Sequence, residues 1–359
     1  MKILFLVPYP PGESPSQRFR FEQYLDALKR EGNTLRLEPF LPPHRWRLFY
    51  QRGYTRARLG MIVGGFARRI GLMLSAGRYD YVLIHREAAP VGPPVIEWFL
   101  AKVLRKKVIY DFDDAIWMTD KVSESMIERI LRWRSKVSYI CRWSQKVSCG
   151  NEYLRRYALR FNANAVLNPT TVDTEGLHNP SRQQPAVKDS TQIVIGWTGS
   201  HSTLKYLYLL RNVLARVQQK FPETTLLVIA DRPPEMQLPN LIFRAWSPET
   251  EISDLMTSDI GIMPLPDDEW SKGKCGFKAL QYMALGLPAV ASAVGVNSTI
   301  IRHMENGCLC NTEDEWVDVL GKLIANADLR KRLGRAGRQM VIDRYSVTSN
   351  CSNFLSLFE

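Results

Sequence analysis

The segment Gly273-Lys274-Cys275-Gly276-Phe277-Lys278-Ala279-Leu280-Gln281-Tyr282-Met283-Ala284-Leu285-Gly286-Leu287-Pro288-Ala289-Val290-Ala291-Ser292 decides how the rest of the chain is read. It sets two lysines and an amide in a glycine-rich approach to a helix. The pattern starts that helix near Lys278, with unbonded N–H groups and the positive end of the dipole facing outward. A diphosphate suits such a place. Gly286-Leu287-Pro288 then ends the helix, and Ala289-Val290-Ala291 begins a short buried strand. Local sequence leaves a plainer alternative open, a packed helix-turn-strand whose lysines are only solvated.

Outward from this segment, short apolar runs alternate with amphipathic stretches of helical length, the pattern of parallel βαβ units covered on both faces. Strands are predicted over 2–7, 81–85, 107–110 and 146–149, with helices over 18–31, 94–104, 123–143 and 152–160. A polar, proline-bearing stretch between His178 and Ser190 suits a linker. A second set follows, with strands over 193–197, 225–230, 241–244, 260–263 and 289–291 and helices over 204–220, 250–258 and 278–285. Terminal helices are predicted over 313–326 and 327–344. The expected organisation is therefore α/β, with a first domain over 1–178, a second over 179–344, and the segment 345–359 packing back on the first. Ligands bind at strand C-termini of open α/β sheets, so the chemistry is expected between two sheets that face across a cleft.

The chain has 359 residues, about two domains by length, and its 45% hydrophobic content is ample for two cores. No apolar run approaches the roughly 18–20 residues that span a bilayer, so no crossing is expected. Pro8, Pro10 and Pro11 cut the apolar start too short for the core of a signal peptide, and it reads as a first buried strand. Six scattered cysteines suggest free thiols in a reducing cytoplasm. Cys308 and Cys310 have the wrong spacing for a structural zinc pair, and no metal is assigned.

The net charge of +12 is unevenly placed. From Pro39 to Tyr79 there is no acidic residue, whereas Arg45, Arg47, Arg52, Arg56, Arg58, Arg68, Arg69 and Arg78 all occur among Trp46, Phe49, Tyr50 and Tyr54. Peripheral contact of the region 45–78 with an anionic membrane, on its cytoplasmic face, is one reading. A solvated arginine face over an ordinary helix is the other. No nucleic-acid module is matched, so nucleic acid is not expected as a partner.

The opening segment resembles the nucleotide-sugar site of retaining glycosyltransferases of family 4, which have the two-domain GT-B fold. Other pieces agree in order: Pro10 to Arg20, Tyr110-Asp111-Phe112-Asp113-Asp114-Ala115-Ile116-Trp117, Gly150-Asn151-Glu152-Tyr153-Leu154, Pro169-Thr170-Thr171-Val172-Asp173, Ile195-Gly196-Trp197-Thr198-Gly199-Ser200 and Gly334-Arg335-Ala336-Gly337-Arg338. The resemblance implies a metal-independent enzyme without cofactor that moves a sugar from a nucleotide diphosphate to a glycan or polyprenol-linked acceptor. It also implies that the diphosphate is held by Gly199, Ser200, Lys205, Lys274 and Lys278. Ser200 stands where an arginine is common in the family. Of the two glutamates seven residues apart that members often carry, this chain has Gly273 and Gln281, so Gln281 inherits the ribose role, and Asp267, Asp268 or Glu269 the missing carboxylate's. Retention in the family is attributed to front-face attack, which needs no covalent nucleophile, in keeping with the lack of an obvious Ser-His-Asp constellation.

On the first domain, Gly12 permits close backbone approach after strand one. Arg18 and Arg20 either clamp a phosphate or acidic acceptor or pair on the surface with Glu22 or Asp26. Asp111, Asp113 and Asp114 follow a buried strand, so their carboxylates fall at its C-terminal end. By order, Asp113 replaces a histidine that family members place near the reacting sugar, and it is the first catalytic candidate. The plainer alternative has Asp111 or Asp114 capping the next turn. His85 and Glu87, ending another strand, are further catalytic candidates, and His201 is either a ligand contact or structural. A degenerate nucleotide-sugar binder or partner subunit of the same fold remains the alternative function, with an epimerase or phosphorylase behind it.

Overall fold

Runs such as Ile3-Leu4-Phe5-Leu6-Val7 and Val82-Leu83-Ile84 are apolar at successive positions, the mark of strands covered on both faces, and their residues are at most 1% exposed. The computed structural model describes residues 1–49, 55–120, 124–183 and 192–359. Tyr50, Arg52, Tyr54, Ser123 and the linker beyond Gln183 lie outside the described residues, as do the side chains of Arg47, Phe49 and Arg56. The chain divides into two compact units, one formed by 1–170 with 350–359 and the other by 171–349.

In unit 1 the strands are β1 (Lys2–Val7), β2 (Thr34–Pro39), β3 (Tyr81–His85), β4 (Lys107–Phe112), β5 (Lys146–Cys149) and β6 (Ala165–Leu167). They pair in the order β2-β1-β3-β4-β5-β6, all parallel. Unit 2 contributes β7 (Ile193–Thr198), β8 (Thr224–Ala230), β9 (Leu241–Ala245), β10 (Ile260–Met263), β11 (Ala289–Ser292) and β12 (Cys308–Cys310), ordered β12-β11-β10-β7-β8-β9 and again parallel. Read from β9, this is the doubly wound order of dinucleotide-binding domains, with its switch point between β7 and β10. The segment 273–292 leads from the end of β10 into β11, beside that switch point.

Three strands are absent from the sequence expectation. β2 interleaves polar residues at a sheet edge, and β6 and β12 are three residues long, so none gives an apolar run. The expected helix over 18–31 breaks at Phe21, whose φ of −142° turns its ring onto Phe5, with centroids 5.4 Å apart. The expected helix over 123–143 is two, Met126–Arg132 and Lys136–Trp143, separated by Trp133 in the left-handed region at φ 45°. Unit 2 begins before the expected boundary because Val172 bridges Ser346 and Arg338 Nη1 donates to the His178 carbonyl at 3.1 Å.

The expectation that no apolar run approaches bilayer-spanning length is corrected by the helix Thr55–Ser75 and its final turn. Over residues 57–78 it is, by length and composition, long and apolar enough to cross a membrane, and 28% of an apolar 18-residue window within it is buried. Its Arg69 is fixed within unit 1, donating to the carbonyls of Ala88 (2.9 Å), Glu38 (2.8 Å) and Val7 (2.9 Å). Burial lowers this guanidinium to about 10, which leaves it charged at neutral pH.

Candidate functional site

The carboxyl edge of the first sheet carries a connected polar cluster, because β1, β3 and β4 end side by side. His85 closes β3 and is fully buried. Its Nδ1 donates to Asp111 Oδ2 at 2.8 Å, and its Nε2 lies 2.8 Å from Ser16 Oγ. The structure therefore does assemble a Ser-His-Asp arrangement, from Ser16, His85 and Asp111, which the spacing along the chain concealed. It is not built as a nucleophile. Ser16 donates to the Asp113 carboxylate, and Asp111 is already engaged by Arg20.

Arg20 is 1% exposed. Its guanidinium donates to both Asp111 oxygens, to the Asn168 carbonyl and to Ser148 Oγ at 3.2 Å. Burial opposes ionisation of Asp111, but the Arg20 charge and the hydrogen bond from His85 outweigh it and hold the carboxyl well below its usual range. The clamp role expected for Arg20 and the acceptor role expected for Asp111 are thus corrected: each neutralises the other inside the sheet edge. His85, also fully covered, is held between Asp111 and Ser16.

Asp113 and Asp114 face Arg86 instead. This arginine adopts φ 59°, an uncommon conformation for a residue with a side chain. Its Nε donates to Asp113 Oδ1 at 2.9 Å and its Nη2 to Asp114 Oδ2 at 2.6 Å. Burial would raise the Asp113 carboxyl, yet Arg86, His85, Arg20 and the Ser16 hydroxyl bring it down to about 2. At neutral pH Asp113 is a fixed carboxylate, able to accept a hydroxyl hydrogen bond but poorly suited to keep a proton. Glu87 pairs with buried Lys136 at 2.7 Å and lines a cavity of the same unit. Gly12, at φ 80°, donates its N–H to Glu22 Oε2 at 2.9 Å, which fixes the loop after β1. Arg18 lies over its neighbour Phe19 at 4.9 Å.

In unit 2, Gly276 adopts φ 71° and turns the chain into the helix Phe277–Ala284, so the anion-type N-terminus predicted near Lys278 is present. Lys278 Nζ lies 5.6 Å from the ring centre of Trp197. Gly199 touches the same indole, since a Cβ there would come within 2.4 Å of it. The first strand of the sheet and the 273–292 segment thus meet on one aromatic face, although nearly eighty positions of sequence separate them. Lys274 lies 5.0 Å from the Trp270 ring and Lys205 5.2 Å from that of its neighbour Tyr206. Ser200 begins a capping box with Thr203.

Three buried polar atoms around this loop have no hydrogen-bond partner: Trp270 Nε1, Ser271 Oγ and Asn297 Oδ1. Sequence reasoning passed over Trp270, Ser271 and Asn297. Two of them follow directly on the acidic run 267–269, whose carboxylates drew the attention.

One expectation for this unit is corrected. Gln281 is 1% exposed, and its amide nitrogen is bound to Glu251 Oε1 at 3.0 Å and close to His178 Nε2 at 3.3 Å, so it braces the helix from within and is not presented to a ribose. Asp268 caps the helix Glu269–Lys272 by accepting from Ser271 N–H at 2.7 Å, while Asp267 and Glu269 pair with Lys272. Asp268 is thus engaged as a cap, whereas Asp267 and Glu269 remain exposed in surface pairs. His201 is paired with Asp231, Nδ1 to Oδ2 at 2.6 Å, at the ends of β7 and β8. Among the described residues, no three histidines, cysteines or acidic residues are grouped as metal ligands.

Residues 192–326 match the family model described as glycosyl transferases group 1. The match lies within unit 2. The matched stretch holds the Trp197–Lys278 contact and the three orphaned polar atoms. The curated D-inositol 3-phosphate glycosyltransferase of Corynebacterium urealyticum is 23% identical over 185 residues, which is 46% of this chain and 42% of that protein. The chain thus matches less than half the length of that relative. Among solved structures, sucrose-phosphate synthase from Thermosynechococcus elongatus aligns with a TM-score of 0.70 at 14% identity, covering 99% of this chain and 98% of the other. HepE of Anabaena in complex with UDP-glucose aligns with a TM-score of 0.67 at 15% identity, covering 99% and 98%. A glycosyltransferase from Rickettsia africae gives 0.70 at 14%, covering 99% and 97%. The fold is α/β of the GT-B class.

Proposed function

We propose that the protein is a retaining, metal-independent glycosyltransferase that takes a sugar from a nucleotide diphosphate and gives it to a glycan or lipid-linked hydroxyl. The observation that carries this reading is the meeting of Lys278, Trp197 and Gly199 beside the β7/β10 switch point, within the stretch that matches the group 1 glycosyltransferase model. A helix N-terminus and a lysine together neutralise a diphosphate, and that stabilisation grows as the phosphate departs with the bonding pair. The lack of a side chain at Gly199 lets the loop after β7 pack directly on Trp197 and Thr203, beside Lys278.

In this reading the acceptor oxygen forms a bond to the anomeric carbon as the bond to the phosphate oxygen breaks. The acceptor proton passes to the departing phosphate. Asp113 orients a hydroxyl as a permanent carboxylate and does not store the proton. The chain matches structures that include a UDP-glucose complex, so UDP is a reasonable first probe. Titration calorimetry with UDP tests the cradle: Lys278→Ala is expected to weaken binding ten- to a hundredfold, the value of about 1.5–3 kcal/mol for a charge-assisted bond. Unchanged UDP affinity in a folded Lys278→Ala protein would remove the cradle. UDP binding without sugar transfer or donor hydrolysis, tested across nucleotide sugars with and without EDTA, would instead make the protein a binder.

A further inference from the structure

Unit 1 contains a cavity of about 440 Å³ at the carboxyl edge of its sheet. Tyr9, just past β1, Phe40, just past β2, and Trp46 and Ile62 form one wall, and Ile127 and Leu131 of the helix Met126–Arg132 form another. The size and apolar walls are those of a ligand pocket. Glu87, which also lines it, is neutralised by Lys136 and adjoins Arg86, the partner of Asp113. The cavity is therefore next to the residues that face the acceptor in the proposed function.

Two facts concern what would fill it. Ile127 and Leu131 line the cavity and yet remain 71% and 51% exposed, and their helix buries no residue at all despite Met126, Ile127, Ile130 and Leu131. Across the cavity, the helix Thr55–Ser75 that supplies Ile62 exposes Leu59 and Val63 by 67% and 60%. Apolar surface thus continues from the cavity to the outside on both sides. The cavity wall carries both signs, Arg132 and Glu128 beside the Glu87–Lys136 pair, and Arg134 is paired with Glu124; the excess of positive charge lies in the stretch from Pro39 to Tyr79, which supplies Trp46 and Ile62 and has no acidic residue. An uncharged glycan would leave the aliphatic wall uncovered, whereas a hydrocarbon chain would cover it at about 25 cal/mol per Å². The acid-free stretch on the Trp46 and Ile62 side suits an anionic head.

We propose that this cavity holds the hydrocarbon chain of a lipid-phosphate acceptor. The proposal rests on the glycosyltransferase reading for the word acceptor, but the pocket itself is testable without it. Farnesyl monophosphate and dodecyl phosphate, both kept below micelle formation, are titrated against the protein and followed by tryptophan fluorescence, with inorganic phosphate as control. Binding of one or both at least tenfold tighter than phosphate is expected. Preference for the farnesyl probe marks an isoprenoid carrier, and preference for the dodecyl probe an acyl one. The pair Ile127→Glu and Leu131→Glu, at positions exposed enough to leave folding intact, should weaken the alkyl phosphates at least tenfold and leave UDP affinity unchanged. Alkyl phosphates binding no better than phosphate, or binding the double variant as well as the parent, would overturn the proposal. Alkyl binding without UDP binding would remove the transferase reading and leave the pocket standing; UDP binding without alkyl binding would do the reverse.

Discussion

Arg20→Met separates a structural arginine from a substrate clamp. In the folded protein Arg20 is 1% exposed and donates to both oxygens of Asp111, to the Asn168 carbonyl and to Ser148. Methionine keeps much of the stem's volume but leaves Asp111 as a buried carboxylate with only His85 and Ser148 for company. Breaking one side of a buried ion pair costs about 3–5 kcal/mol, because the remaining charge has no water to turn to. With a urea dependence of about 2–3 kcal/mol per M for a unit of this size, the midpoint of unit 1 should fall by roughly 1–2.5 M. Hydrogen exchange of peptides covering β3 and β4, measured alongside the urea curve, assigns the loss to the correct unit. Adding Asp111→Asn should recover part of the loss, since the stranded charge is then gone. A urea midpoint unchanged by Arg20→Met, together with weakened acceptor use, would refute the buried-pair account and restore the clamp.

Acid should weaken unit 1 for a related reason. The folded carboxyl of Asp113 is at about 2 against 3.8 for the ordinary group, so the unfolded chain takes the proton first; the stability is present above pH about 4 and is lost as pH falls through about 2, at a cost on the order of 2 kcal/mol. Asp111 shifts in the same direction and adds to the loss, and an Asp113→Asn protein whose acid unfolding curve overlays the parent's would contradict the assignment. Gly276→Ala forces a side chain into the left-handed region, with its Cβ 2.4 Å from Ile300 Cδ1; a loss of about 2–4 kcal/mol is expected from strain and overpacking together, and an unaltered melting temperature would show that the turn does not need glycine.

The parallel sheets could be read from the chain because doubly covered strands leave unbroken apolar runs, as at Ile3 to Val7 and at Val82 to Ile84. The helix start beside Lys278 was legible through Gly276, whose left-handed turn only that residue makes cheaply. Arg20 was not legible, since its partners stand at 111, 148 and 168 and no local pattern tells an inward arginine from an outward one. Gln281 did carry a signal that went unused. It lies inside the run Ala279 to Ala284, every member of which is buried, so its position on the helix face argued for the interior. Ser16 was hidden because its contact with His85 is made by chain crossing, and a hydroxyl has no periodicity to betray it.

The return of residues 350–359 to unit 1 has a consequence for how the chain is made. Phe354 stacks on Tyr24 with ring centres 4.4 Å apart, and Phe358 packs against Phe5 and Tyr81. A polypeptide emerging in order therefore presents the whole of unit 2 before it supplies the piece that closes the core of unit 1. During synthesis the earlier half must wait, with Phe5 and Tyr24 uncovered, while the later half can already settle. Nascent chains halted before residue 350 should for that reason lean on chaperones through their oldest segment and not their newest.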